Sequence, residues 1–403
     1  MRRVALTIVL VAAAAGIAAD WPQWLGPKRD ASSAEIVQPW TAPLKPAWSV
    51  PVGEGHSSPV VAGGKVYLHT KVANEDKEQL TIFDAATGKE LGSSTQPRKP
   101  FTSGFGVGPR ATPVVTPEGE VITLGVTGNL NVQGAARNWI TDVLESNQAP
   151  NLRFGVSASP LVVGDRIIIM VGGRGAGLVA YNRADGKVLW KSLDDAASYA
   201  APILIDHAGQ KLVAALTAEG LVAVRPETGQ EVWRFPFKDA LAESSSTPVQ
   251  VGDSIVISSI TLGSAAVKLT TNAGQLAVES LWKNPELTCY FSTPVAIGDH
   301  VYFTTGRMIL PSVTLHCVAA RTGAIVWSRK NVGKYNASLL RTGDNKLLMH
   351  SDSGELTLIE PDPKEYREIC KSKICGETWA HPALSNDRLF VRDGKHLICV
   401  PLK

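Results

Sequence analysis

STPVAIGDHVYFTT, residues 292–305, sets a small-small-proline marker ahead of two short alternating runs joined by Gly-Asp. Alternation of that kind about a glycine-containing turn predicts a β-hairpin. The same unit stands as SSPVVAGGKVYLHT at 57–70, ASPLVVGDRIIIMV at 158–171 and STPVQVGDSIVISS at 246–259. Working outward, the marker recurs as ATPVV at 111–115 and AAPIL at 200–204, then more weakly as NASLL at 336–340 and AHPAL at 380–384. The slot holds Pro59, Pro113, Pro160, Pro202, Pro248, Pro294, Leu339 and Pro382, spaced 42 to 54 residues apart. A period of that size marks a repeated four-stranded blade.

Beyond each hairpin a third strand ends in a turn, and a Gly-x-x-x-Trp step opens a fourth. DGKVLW ends at Trp190, TGQEVW at Trp233 and TGAIVW at Trp327, with Trp282 serving the fifth unit after a small insertion; the second and seventh units are degenerate at this step. Such a sheet cannot bury both faces alone, so its neighbours must stack on it, and radial stacking makes a propeller. Two residues before the proline slot stand Ser57, Ala111, Ala158, Ala200, Ser246, Ser292, Ala337 and Ala380, all small, as crowding around a central axis requires. The chain ends three strands after Pro382. KPAWSVPVG (residues 45–53) carries Trp48 eleven residues before Pro59, so this N-terminal strand is expected to close the last blade and remove the open edges. The expected fold is all-β: an eight-bladed propeller of four-stranded antiparallel blades over residues 47–403, preceded by an arm of residues 20–46.

Composition agrees and narrows the class. The 403 residues are 44% hydrophobic and 19% charged, those of an ordered globular chain, with Gly 36 and Pro 25 scattered in turn-like clusters. Arg2 and Arg3 precede an uncharged run from Val4 to Ala19 that ends in small residues, which predicts a signal peptide over 1–19 and export. No segment reaches the ~20 apolar residues of a membrane-spanning helix. Without residues 1–19 the balance is 38 basic against 37 acidic, which gives no reason to expect nucleic acid. A monomer is expected, periplasmic or extracellular, with no lipid-anchor cysteine at the end of the leader. The cysteines are Cys289, Cys317, Cys370, Cys375 and Cys399. In an exported chain Cys370 and Cys375 could close a small loop, or stand as two thiols on adjacent strand ends.

AVRPETGQEVW, AYNRADGKVLW and CVAARTGAIVW resemble the tryptophan-containing motif of the pyrroloquinoline-quinone-like (PQQ-like) propellers. DWPQWLGPKRD, GPRATPVV and LGVTGNLNV are similar to secreted bacterial proteins of that superfamily. The resemblance spans essentially all of residues 20–403 and implies the fold. It leaves function divided, because the superfamily holds quinoprotein alcohol dehydrogenases, which use PQQ and calcium, and BamB, which is not an enzyme. The adjacent cysteine pair and the Cys-x-x-Cys-His haem signal of those dehydrogenases are absent here, and their calcium set has no residue-by-residue counterpart.

The repeat itself nominates a site. Three residues before the proline slot the column reads His56, Arg110, Ser157, Tyr199, Ser245, Phe291, Asn336 and Trp379. Unlike its small neighbour, it varies and carries large groups, and the fold places it around one mouth of the channel. His56, Arg110, Tyr199, Asn336 and Trp379 are the expected ligand contacts, with Arg110 suited to a carboxylate and Trp379 and Tyr199 to a flat ring. Glu54, His56, Glu377 and His381 would meet at the closure seam and are a weak metal set; polar loops facing water explain them as well. GGRGAG at 172–177 runs into LVAY, a strand and not the helix a phosphate loop needs, so it reads as a turn. The Trp21–Trp24 arm could cover a channel mouth or pad the flank. No nucleophile motif or catalytic triad is present. The favoured function is therefore a non-catalytic module binding an envelope protein, peptide or small ligand. The alternative is a PQQ-dependent dehydrogenase of alcohols or sugars.

Overall fold

The computed structural model describes residues 20–307 and 310–403, so the expected signal peptide over 1–19 lies outside the described residues. Thirty-two strands in the described chain form eight four-stranded antiparallel sheets, the eight expected blades. Blades 1 to 7 cover residues 60–97, 114–142, 161–192, 203–236, 249–284, 295–333 and 337–373 in chain order. Blade 8 takes three strands from residues 383–401 and its outermost from Trp48–Pro51. That strand pairs antiparallel with His396–Pro401, Trp48 opposite Cys399, and closes the ring as expected.

The marker column forms the inner wall. Ser57, Ala111, Ala200 and Ala337 are completely buried, and the other four small residues nearly so. One residue further along, a second column acts as a girdle. The backbone N–H of Ser58 donates to Thr112 Oγ1 (3.2 Å), that of Thr112 to Ser159 Oγ (2.9 Å), that of Thr247 to Thr293 Oγ1 (3.2 Å) and that of His381 to Ser58 Oγ (3.0 Å). Each bond ties one blade to the next, including the first to the last. GGRGAG forms the turn between strands Arg166–Met170 and Leu178–Asn182, as read.

The Gly-x-x-x-Trp step is also an inter-blade device. Trp190 Nε1 donates to Pro226 O (2.9 Å) and Trp282 Nε1 to Ala320 O (2.8 Å), each in the following blade. There the turn glycine, Gly229 or Gly323, lies under the indole at a φ near +70°, where an added Cβ would fall 2.5 Å from the ring. Glycine is thus required twice, by conformation and by contact. The second blade, degenerate in sequence at this step, keeps the device. Trp139 Nε1 donates to Arg183 O (2.9 Å) and its ring covers Gly186. The pattern was hidden because Trp139 stands five residues after Gly134 instead of four.

The core is a set of apolar clusters at the seams between blades. The arm completes two of them. Trp21, Val37, Trp40 and Leu44 enter the cluster of blades 7, 8 and 1, while Leu25 and Ala31 enter that of blades 6 and 7. The arm exchanges backbone bonds with Val61 (2.8 and 2.9 Å), passes Val115 and Arg341, and meets blade 8 where Glu35 accepts the Asp387 N–H (2.8 Å). Midway, Trp24 Nε1 donates to Thr247 Oγ1 (2.9 Å), and the buried Arg29 donates to Pro160 O (2.8 Å) and Ser159 O (3.2 Å). Thr247, Ser159 and Pro160 belong to the inner wall, so the arm crosses one mouth of the channel and stoppers it. All five cysteines are free thiols, and Cys370 and Cys375 form no disulfide.

Candidate functional site

At the other mouth the varying column does converge. His56, Arg110, Ser157, Tyr199, Ser245, Phe291 and Trp379 border one cavity of about 150 Å³. Asn336 does not reach it. It is only 3% exposed, its backbone N–H donates to Asp352 Oδ2 (3.2 Å), and it lines neither this cavity nor its neighbour. The adjacent Tyr335 instead stands edge-on to Trp379, ring centroids 6.4 Å apart.

Trp379 is the centre of the aromatic wall. It stacks on Phe291 (5.0 Å, 19°) and on His56 (5.5 Å, 20°), and Phe105 tilts against it at 6.1 Å. Phe105 meets Phe154 edge to face at 5.4 Å, and Phe154 leads to Tyr199 at 5.7 Å. Offset and edge-on contacts of this kind are the favoured aromatic geometries. The sequence reading passed over Phe105 and Phe154, yet both open a Phe-Gly-Val triplet just ahead of an inner strand, at 105–107 and 154–156. It also passed over Tyr290 and Glu243, while Trp24 belongs to the arm that it offered as a cover for a channel mouth.

Arg110 has a different task from the expected one. Its guanidinium donates to three carbonyls of its own loop, Gly108 (2.8 Å), Gly106 (2.9 Å) and Phe105 (3.2 Å). The Phe105 carbonyl also accepts from His56 Nε2 (2.9 Å), Arg98 donates to Val107 O, and Glu54 Oε1 accepts the Val107 N–H (2.9 Å). These residues hold the 104–108 loop that carries Phe105 to the rim. Burial lowers the Arg110 pKa to about 10 and that of His56 to about 4, so at neutral pH one is charged and the other is not. Arg110→Ala is expected to free this loop without unfolding the ring. Limited proteolysis should then cut within 104–108 at least tenfold faster, and an unchanged rate would refute the anchoring role.

The weak metal set is divided. Glu54, His56 and Glu377 border a second cavity of about 400 Å³ behind Trp379, whereas His381 lines the first. Among the described residues no group of three or more His, Cys, Asp or Glu side chains is placed to hold a metal ion. PQQ is a polycarboxylate, and the aromatic cavity does not suit it. The cavity's guanidinium already serves backbone carbonyls, and its other charged residue, Glu243, is an acid whose Oε2 accepts the Tyr290 hydroxyl (2.8 Å). Nor is a nucleophile activated there. Ser157 donates to Gly155 O (3.1 Å) and Ser245 to Tyr290 O, neither to an imidazole. Elsewhere Cys375 Sγ lies 3.3 Å from His350 Nε2, but burial raises the thiol to about 12 and lowers the imidazole to about 3. That pair is neutral and inert.

Residues 76–329, more than half of the chain, match the family described as outer membrane protein assembly factor BamB. The chain belongs to that family. BamB of Shewanella oneidensis is 26% identical over 263 residues, which are 62% of this chain and 61% of that protein. This chain thus spans about three fifths of the length of the curated relative it matches. The crystal structure of BamB from Moraxella catarrhalis superposes with a TM-score of 0.63 at 14% identity, covering 89% of this chain and 98% of that one. The quinohemoprotein alcohol dehydrogenase of Comamonas testosteroni gives 0.59 at 12% identity, covering 95% and 80%. At those identities the two structures establish the shared propeller, and BamB-family membership rests on the sequence match. No helix among the described residues is long and apolar enough to cross a membrane.

Proposed function

We propose that this BamB-family chain is an exported, non-catalytic recognition module. Residues 1–19 are removed on export, and the monomeric propeller takes an aromatic or apolar side chain of an envelope polypeptide into the cavity at its open channel mouth. The observation that carries this reading is the aromatic cup around Trp379, backed by a channel whose far end the arm stoppers. A blind cup of about 150 Å³ has room for one ring and no through-path for a substrate. The name of the matched family, an outer membrane assembly factor, points to envelope proteins as partners.

The test is calorimetric titration of residues 20–403 with capped peptides bearing a central Phe or Tyr, against an Ala control. Aromatic peptides should bind saturably and the control should not. Trp379→Ala should weaken binding tenfold or more, the loss expected when a central aromatic anchor is truncated. Equal behaviour of aromatic and Ala peptides would overturn the proposal. Saturable, calcium-dependent binding of PQQ to the same protein would restore the dehydrogenase reading.

A further inference from the structure

Two adjacent groups of the cup, the Tyr199 hydroxyl and the Glu243 carboxylate, keep bonding capacity that the protein does not use. Tyr199 Oη accepts the Phe154 N–H (3.3 Å), and among the described residues its own proton has no acceptor. Glu243 Oε2 accepts the Tyr290 hydroxyl (2.8 Å), which leaves Oε1 as an acceptor without a donor. No cation among the described residues pairs with Glu243; the two nearest in sequence are taken, Lys238 by Glu219 and Arg234 by Asp195 and Glu231. The two groups stand side by side, because the Tyr199 backbone N–H donates to the carbonyl of Ser244 (2.9 Å), the neighbour of Glu243. Both side chains are half-buried and line the cavity. Burial first, and the Glu243 charge besides, raise the Tyr199 pKa, so the hydroxyl keeps its proton at neutral pH.

The other polar groups of the cup are spent or out of reach. Ser157 and Ser245 donate to backbone carbonyls, and the buried Ser159 and Thr247 accept from the Thr112 N–H and the Trp24 indole. Arg110 serves its own loop, and His56 gives its Nε2 proton to Phe105 and keeps only an acceptor. His381 is buried, with Nε2 inaccessible from the cavity. The cup thus sets one donor beside one acceptor, next to walls made for a ring. An ammonium or guanidinium would leave the Tyr199 proton without an acceptor, and a carboxylate would meet Glu243 with like charge. One residue of an extended chain satisfies both groups, since its N–H and C=O point to the same side, as they do where paired strands exchange two bonds.

We infer that Tyr199 and Glu243 clamp the main chain of the partner at the residue whose side chain enters the cup, the Tyr199 hydroxyl donating to its carbonyl and Glu243 Oε1 accepting its N–H. This rests on the cup being a ring-binding site, as proposed above, and adds that the ring is read as part of an extended polypeptide, not as a free aromatic molecule. The bond to the carboxylate is charge-assisted and is the stronger of the two.

Residues 20–403 are titrated with N-acetylphenylalanine N-methylamide, with its analogue methylated on the phenylalanine nitrogen, and with toluene. Methylation should weaken binding about tenfold, the worth of one hydrogen bond to a charged group. In Glu243→Gln the single side-chain oxygen stays on the Tyr290 hydroxyl, so the two amides should then differ by less than about threefold. A tenfold loss that persists in that variant would be steric and would overturn the inference. Tyr199→Phe, which removes the hydroxyl and keeps the ring, should weaken the unmethylated amide by about fivefold and leave toluene unchanged. Equal affinity of the wild-type protein for the two amides, with toluene also bound, would overturn the main-chain clamp and leave the ring-binding cup intact. Binding of none of the three, nor of aromatic peptides, would overturn both.

Discussion

Trp21→Ala should lower the stability of the propeller by about 3–5 kcal/mol, the usual cost of emptying a buried tryptophan site. Trp21 is 3% exposed, packs in the cluster that joins blades 7, 8 and 1, and lies against Gly26 so closely that a Cβ there would meet its ring at 2.8 Å. Its backbone trades two hydrogen bonds with Val61, so the strand edge holds the residue in place when the ring is removed and the site cannot collapse easily. Urea unfolding should show the midpoint falling with an unchanged slope. A loss under about 1 kcal/mol would mean that the arm merely rests on the ring. Removing residues 20–44 altogether should be far more damaging, because Val37, Trp40 and Leu44 leave the same cluster together.

Acid should weaken the fold well before its carboxylates titrate. His350 and His381 are buried with pKa values lowered to about 3 and about 4, in both cases first by burial, and His69 is lowered for the same reason. The folded pKa lies below the unfolded value near 6.5, so between the two the unfolded chain binds protons that the folded chain refuses. Stability is therefore complete above about pH 7 and declines as pH falls through 6.5 toward 4. At pH 5 each of the two groups should have withdrawn about 2 kcal/mol, at about 1.4 kcal/mol per unit of pH. Unfolding free energies measured at pH 7.5 and 5 should differ by at least about 4 kcal/mol, since His56 and His316, also lowered to about 4 by burial, act in the same direction. Equal values would show that these imidazoles keep access to water and protonate in place.

The ring was legible because it is written eight times. Proline slots, small inner residues and turn glycines answer to constraints that every blade shares, and a repeated constraint survives exceptions such as Leu339. The closing strand was readable from the three strands that follow Pro382 together with Trp48, whose spacing to Pro59 is within one residue of that in the internal units. The site was half legible for the opposite reason. Position in the repeat told which residues face the mouth, and seven of the eight do line the cup. What each side chain does there depends on loops of individual length. Arg110 turns back on residues 105–108, and Asn336 is drawn under the surface by Asp352, because the segments before them curl differently. The hydroxyl girdle of Ser58, Thr112, Ser159, Thr247 and Thr293 was not singled out in the sequence, because its meaning needs the neighbouring blade's N–H. Trp24 and His381 met only in three dimensions, from opposite ends of the chain.

The pairing of Trp48–Pro51 with His396–Pro401 imposes an order in time. The segment synthesised first completes the sheet synthesised last, so the arm and its strand wait while some 350 residues emerge behind them. Without the C-terminal strands blade 8 cannot form and blade 1 keeps blade 2 as its one neighbour, so the ring is open. Closure is then a single late event that joins both ends at once. Loss of the strand at either end therefore removes the one pairing that joins the two ends of the chain.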